Sequence, residues 1–113
     1  DIFTQQREIV RVTGAHRALE AALAEAGITR ADIDFAELYD CFTISLLVQL
    51  EDLGFCARGE APALVRERGI GVHGGLPVNT HGGLLAHSYL LGVEHVLEAV
   101  RQLRGQAGAA QVA

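Results

Sequence analysis

The sequence predicts an α/β fold with few strands: a short mixed sheet, one buried helix and one long amphipathic helix. Three observations lead there. Apolar residues recur at helical spacing in separate stretches, short β-prone segments stand between them, and glycine follows at the expected ends, at Gly27, Gly54 and Gly105. The chain has 113 residues, half of them hydrophobic and 20% charged, which suits one folded domain with a core.

Residues 1–12 are weakly patterned and read as an opening segment, partly extended. Thr13 is the expected N-cap of a helix through Ala26, with Leu19, Ala22, Leu23 and Ala26 on one face. A short loop then leads into a brief strand over Ile33, Phe35 and Leu38. Thr43 is the expected cap of a second helix through Leu53, apolar around most of its circumference and so expected to be buried on several sides. Glu60–Arg66 reads as a short helix with Pro62 in its first turn, where proline is tolerated. The run IGVHGGLPVNTHGG holds five of the thirteen glycines and reads as loop and short strand entering a turn. One long helix is expected over Leu84–Arg104, with Leu85, Tyr89, Val93, Val96, Val100 and Leu103 as its apolar stripe. Residues 106–113 have neither pattern nor bulk and are expected to form a disordered tail.

Composition excludes several functions. A net charge of −5 argues against a nucleic-acid or anionic-membrane surface. No apolar run approaches the roughly 18 residues of a membrane span. All nine basic residues are arginine, so a Schiff-base lysine is excluded within this chain. Cys41 and Cys56 fit no disulfide framework or zinc spacing, which points to a reducing cytoplasm.

Three constellations are candidates for chemistry. The five histidines match neither HExxH nor a paired His/Cys spacing, so no metal site is expected; His16 and His95 read as surface helix residues. PVNTHGGLL, with Asn79, His81, Gly82 and Gly83, is a Gly-Gly turn opening a helix. It would let backbone approach a ligand, but is equally a tight turn without function, and it is no nucleotide fingerprint. ELYDCF places Glu37, Tyr39, Asp40 and Cys41 where a strand hands over to the buried helix, a usual ligand position in α/β sheets. Asp40 is also readable as a cap, Cys41 as a small core residue and Tyr39 as a packed ring.

From Gly14 to Gly105, the chain resembles the C-terminal half of the thiolase superfamily, in the sterol-carrier-protein thiolase branch. AELYDCFTISLLVQLEDLGFC is similar to that family's HDCF-type block, GGLPVNTHGGLL to its NxxGG block, and AVRQLRG to the end of the following helix. The resemblance implies a thiolase-like domain over residues 13–105. The rest of the five-layered fold, the N-terminal half with its nucleophilic cysteine and a last glycine-rich loop, is expected outside this sequence. Two departures are informative. Tyr39 stands where that block has His or Asn, and Tyr89 stands where thiolases carry the GHP histidine.

A double-tyrosine pattern resembles the thiolase-like, lipid-transfer-protein-like aldolases of steroid side-chain degradation. The resemblance implies retro-aldol cleavage of a β-hydroxyacyl-CoA, with Tyr39 as base and Tyr89 as enolate donor. Asp40, Asn79, His81, Gly82 and Gly83 are expected to contact substrate. The coenzyme A thioester is expected as substrate with no further cofactor. An OB-fold and zinc-ribbon partner and a homo-oligomer are expected, and the 113-residue chain alone is expected to be inactive. The alternatives are an acyltransferase with a substituted oxyanion hole and a non-catalytic acyl-CoA or lipid-binding protein. The geometric expectation is that the Tyr39 and Tyr89 hydroxyls approach within about one bound water of each other, bordering one cleft.

Overall fold

The computed structural model describes residues 14–112; the opening segment 1–12 and the Thr13 cap lie outside the described residues. Five α-helices follow in order: α1 (Gly14–Ala26), α2 (Thr43–Asp52), α3 (Ala61–Glu67), α4 (Gly83–Ala86) and α5 (Val93–Leu103). Short 3-10 turns sit at Arg30–Asp32 and Gly108–Ala110. The first three helices match the sequence reading to within a residue, and the glycine stops of the first two, Gly27 and Gly54, fall where expected. Phe42 is the N-cap of α2, so Thr43 is its first helical residue. Among the described residues, no helix is long and apolar enough to cross a membrane.

The expected mixed sheet does not form. Among the described residues, strand pairing is reduced to one isolated parallel bridge between Ala36 and Val78. The local chemistry explains this. Ala36 donates to the Pro77 carbonyl at 2.9 Å and accepts from Asn79 N–H at 3.0 Å. Pro77 has no N–H to extend the ladder, and Asn79 turns the backbone away with a φ of 50°. Its carboxamide then stands in for the next peptide, accepting from Leu38 N–H at 2.7 Å and donating to the Leu38 carbonyl at 2.9 Å. A side chain therefore completes what a strand would have continued.

The core gathers around that bridge: Ala36, Val78, Leu76, Ala61 and Leu50, with Leu46, Leu47, Phe55, Leu64 and Ile70 packed against them. Helix α2 lies between α1 and α3, so the expectation of burial on several sides holds for Leu50 and Leu53 but fails at its start, where Phe42 and Ile44 are exposed. Leu50 is fully buried. Leu50→Ala should lower unfolding stability by about 2–5 kcal/mol, read from urea denaturation; a change under about 1 kcal/mol would show that this core is not closely packed.

The long helix over 84–104 is in fact two. Leu91 (φ 56°) and Gly92 (φ 88°) adopt left-handed backbone and break it, and Gly92 is the N-cap of α5. Glu94 ties the break, accepting from the N–H groups of Leu90 at 3.2 Å and Gly92 at 3.4 Å. Burial opposes ionisation of Glu94, but its own N–H, those of Leu90 and Gly92, and nearby His95 outweigh it and hold the carboxyl below the usual range.

The polarity of α5 is also inverted relative to expectation. Glu94, His95, Glu98 and Gln102 are buried, whereas Val93, Val96, Leu97, Val100 and Leu103 are exposed. A hydrogen-bonded polar network accounts for Glu98 and Gln102. Glu98 Oε1 accepts from Thr80 Oγ at 2.7 Å and from Gln102 Nε2 at 3.0 Å, and Arg101 reaches Glu98 Oε2 at 3.0 Å. The tail expected to fray folds back on the same helix: Gln102 Nε2 donates to the Ala110 carbonyl at 2.7 Å, and Val112 N–H donates to Gln102 Oε1 at 2.9 Å.

Candidate active site

ELYDCF leaves the bridge at Ala36 and runs beneath the Asn79–Gly83 turn, so the two motifs of the sequence reading meet in space. Asp40 does not cap α2. Its buried carboxylate accepts from Leu84 N–H at 2.8 Å and anchors the start of α4. Gly83, at φ 66°, passes so close that a Cβ there would overlap Asp40 Oδ2. Asp40, Asn79 and Gly83 therefore shape the turn, while Gly82 is exposed beside it.

Tyr39 immediately precedes this anchor, and its carbonyl accepts from the Gln49 side chain of α2. Tyr89 belongs to the loop between α4 and α5, not to the first turns of a long helix. The broken helix lets that loop lean over the motif. The Tyr39 and Tyr89 hydroxyls approach to 3.4 Å, a long hydrogen bond with neither ring buried, at 42% and 58% exposure. The meeting across 50 positions is closer than the one-water approach expected from sequence.

The hydrogen bond with Tyr89 is the main cause that pushes the Tyr39 phenol up to about 12; desolvation and the charges of Tyr89 and Cys41 add to it. Tyr39 thus stays protonated at neutral pH, as a free phenol does. With two tyrosines and no tryptophan in the chain, phenolate absorbance reads this directly. One tyrosine should ionise at about 12, and in Tyr89→Phe the remaining Tyr39 should move back toward about 10. A late Tyr39 titration unchanged in that variant would contradict the contact. Because the raised value delays ionisation in the folded chain, this contribution to stability is whole below about pH 10 and is lost as pH rises toward 12.

The sequence reading missed what lies under the tyrosines. His95, expected on the surface, is buried, and its Nδ1 lies 3.5 Å from Glu37 Oε2. His81 turns inward as well, its Nδ1 3.1 Å from the same oxygen. Glu37 Oε1 accepts from Thr80 N–H at 3.0 Å and lies 2.9 Å from Thr80 Oγ, whose one proton it shares with Glu98 Oε1. Glu37, His81 and His95 sit on three different segments, so only the fold brings them together. Gly92 and Glu94, which set the start of α5 and so the placement of His95, were the readable signal. Of the two cysteines, Cys41 Sγ lies 3.5 Å from Ser45 Oγ, and burial, with Glu51 and Glu60 nearby, pushes the Cys56 thiol up, away from a reactive thiolate.

A glycine turn held by a buried carboxylate, opening a short helix beside two facing phenols, gives the ordered motif blocks the geometry of a thiolase-type C-terminal domain. The chain belongs to the thiolase C-terminal domain-like family, whose model matches residues 1–113. Among its relatives, it is 51% identical over 82 residues to 17-hydroxy-3-oxo-4-pregnene-20-carboxyl-CoA lyase of Mycobacterium tuberculosis, covering 73% of this chain and 21% of that one. It is 49% identical to the steroid side-chain-cleaving aldolase of Thermomonospora curvata, with the same shares covered. An acetyl-CoA acetyltransferase of Methanothermobacter thermautotrophicus is 38% identical over 110 residues, covering 95% and 29%. In solved structures, it matches the Ltp2-ChsH2(DUF35) aldolase with a TM-score of 0.85 and 41% identity, over 91% of this chain and 27% of that chain. The chain thus spans about a fifth of the length of the first two relatives.

Proposed function

We propose that the chain is the C-terminal segment of a thiolase-like acyl-CoA lyase that cleaves a β-hydroxyacyl-CoA of the steroid side-chain type by retro-aldol reaction. The observation that carries this reading is the contact of the Tyr39 and Tyr89 hydroxyls at 3.4 Å, at the two positions where the family resemblance expects catalytic groups. A base removes the β-hydroxyl proton, and the oxygen electrons form a carbonyl as the Cα–Cβ bond breaks. The bond pair moves into the thioester as an enolate, and a donor returns one proton to Cα. The products are a ketone or aldehyde and a shorter acyl-CoA, with no net proton or electron consumed. A hydrogen-bonded pair of phenols suits a step in which one proton is taken and one returned, and each hydroxyl is also a donor for enolate charge. The lyase and aldolase names of the two most identical relatives reported above support the reaction class.

The remaining parts of the reading follow from the surface. Val93, Val96, Leu97, Val100 and Leu103 form an exposed apolar stripe along α5, the kind of contiguous patch that marks an interaction surface. It suits packing against the other half of a thiolase fold, and the same need for cover supports a homo-oligomer. The structural neighbour named as a Ltp2-ChsH2(DUF35) aldolase supports a partner protein, which the family resemblance expects to be of OB-fold and zinc-ribbon type. Two cysteines outside any disulfide agree with a cytoplasmic location. The chain alone is inactive on this reading, because its tyrosine pair is only part of a shared site.

The test is product analysis with the full-length protein and its partner, given a β-hydroxyacyl-CoA and no free coenzyme A. Equal amounts of carbonyl product and shorter acyl-CoA are expected. Turnover only of a β-ketoacyl-CoA, and only with added coenzyme A, would instead establish the acyltransferase reading that the acetyltransferase relative represents.

A further inference from the structure

We propose that Glu37, His81 and His95 form a binding site for a divalent transition-metal ion, zinc by its donor set, which pins the 36–40 segment, the 79–83 turn and α5 together. The three side chains are almost wholly buried, at 5%, 4% and 8% exposure. Glu37 Oε2 and all four ring nitrogens of the two histidines make no hydrogen bond with the described residues. The nitrogens stand near the carboxylate, at 3.1 Å and 3.5 Å, but are out of line for donation to it. Buried polar atoms converging without mutual hydrogen bonds are a common arrangement of a ligand set awaiting its centre.

The spacing agrees. A tetrahedral zinc with bonds of about 2.0–2.2 Å to imidazole nitrogen and carboxylate oxygen sets neighbouring ligand atoms about 3.3 Å apart. One ligand atom from each residue lies within 4.8 Å of the others. Two imidazoles and one carboxylate form a donor set that zinc favours.

The outer contacts agree independently. Glu37 Oε1, the oxygen not facing the histidines, is fixed by Thr80 N–H and Oγ. His95 presents Nδ1 to Glu37, while its Nε2 faces Asp40 Oδ1 at 3.7 Å, and Asp40 is itself held by Leu84 N–H. A ligating histidine directed by a carboxylate on its other nitrogen is the usual support of such sites. The spacing of 37, 81 and 95 belongs to no local metal motif, which is why the sequence reading expected none.

The experiment uses the untagged 113-residue chain, stripped with a chelator and titrated separately with Zn²⁺ and Co²⁺. One equivalent per chain, a tetrahedral Co²⁺ spectrum and a higher thermal midpoint with Zn²⁺ are expected. Asp40→Asn should weaken binding about 10- to 100-fold, and His81→Ala and His95→Ala by more than that. Unchanged stoichiometric binding in the His81→Ala/His95→Ala double variant would overturn the proposal, as would wild-type chain that binds less than half an equivalent. If circular dichroism shows the variants unfolded, the wild-type spectrum decides: an octahedral Co²⁺ spectrum overturns the site and a tetrahedral one supports it. These readouts involve no turnover, so the metal site and the lyase reading stand or fall separately.

Discussion

Tyr39→Phe in the full-length protein should slow retro-aldol cleavage by about 10²–10⁴-fold, the usual contribution of a positioned acid or base. Tyr89→Phe should do the same. The ring contacts remain in both variants and neither ring is buried, so thermal stability should fall only by the modest contribution of one exposed hydrogen bond. Substrate affinity should move far less than turnover, because the lost hydroxyl acts on charge that develops during cleavage. Steady-state kinetics on a β-hydroxyacyl-CoA reads the effect. Losses below tenfold in both variants would remove the tyrosines from the chemistry and leave them as rim residues.

Gly83→Ala should be the most damaging single-methyl change in the chain. The residue holds a φ of 66°, and its added Cβ would overlap the carboxylate of Asp40, which is buried and anchored to Leu84. Left-handed strain and overpacking together should cost about 2–5 kcal/mol. The same shift would move α4 and the loop that carries Tyr89, so activity in the full-length protein should fall even where the chain still folds. Gly71→Ala is the control: nothing lies within 4 Å of its Cβ position, and its stability should change by less than about 0.5 kcal/mol. Equal effects of the two substitutions in a thermal melt would show that the Asp40–Gly83 contact carries no special constraint.

How much of this was legible depends on how local each determinant is. The starts and ends of α1, α2 and α3 were readable because apolar spacing and a following glycine act within one turn of helix. The juxtaposition of Tyr39 and Tyr89 was readable only through motif order, since no local rule spans 50 positions. The sheet was not readable as absent. Ile33, Phe35 and Leu38 have strand-like spacing, yet Pro77 and the carboxamide of Asn79 end the pairing after one bridge. The direction of α5 was misread for a different reason. Periodicity identifies an apolar stripe but not which stripe turns inward, and here Thr80 hydrogen-bonds the buried Glu98 and Gln102 while Glu37 and Asp40 face the buried His95. That inversion also hid the Glu37–His81–His95 cluster.

On the proposed reading Tyr39 and Tyr89 act as one hydrogen-bonded unit, which a double-mutant cycle on cleavage rate in the full-length protein decides. If the phenols share one proton path across their 3.4 Å contact, removing either hydroxyl disables both. The Tyr39→Phe/Tyr89→Phe enzyme should then be about as slow as the slower single variant, a strongly non-additive result. Rate losses that multiply in the double variant would mean two independent groups, and would contradict the account.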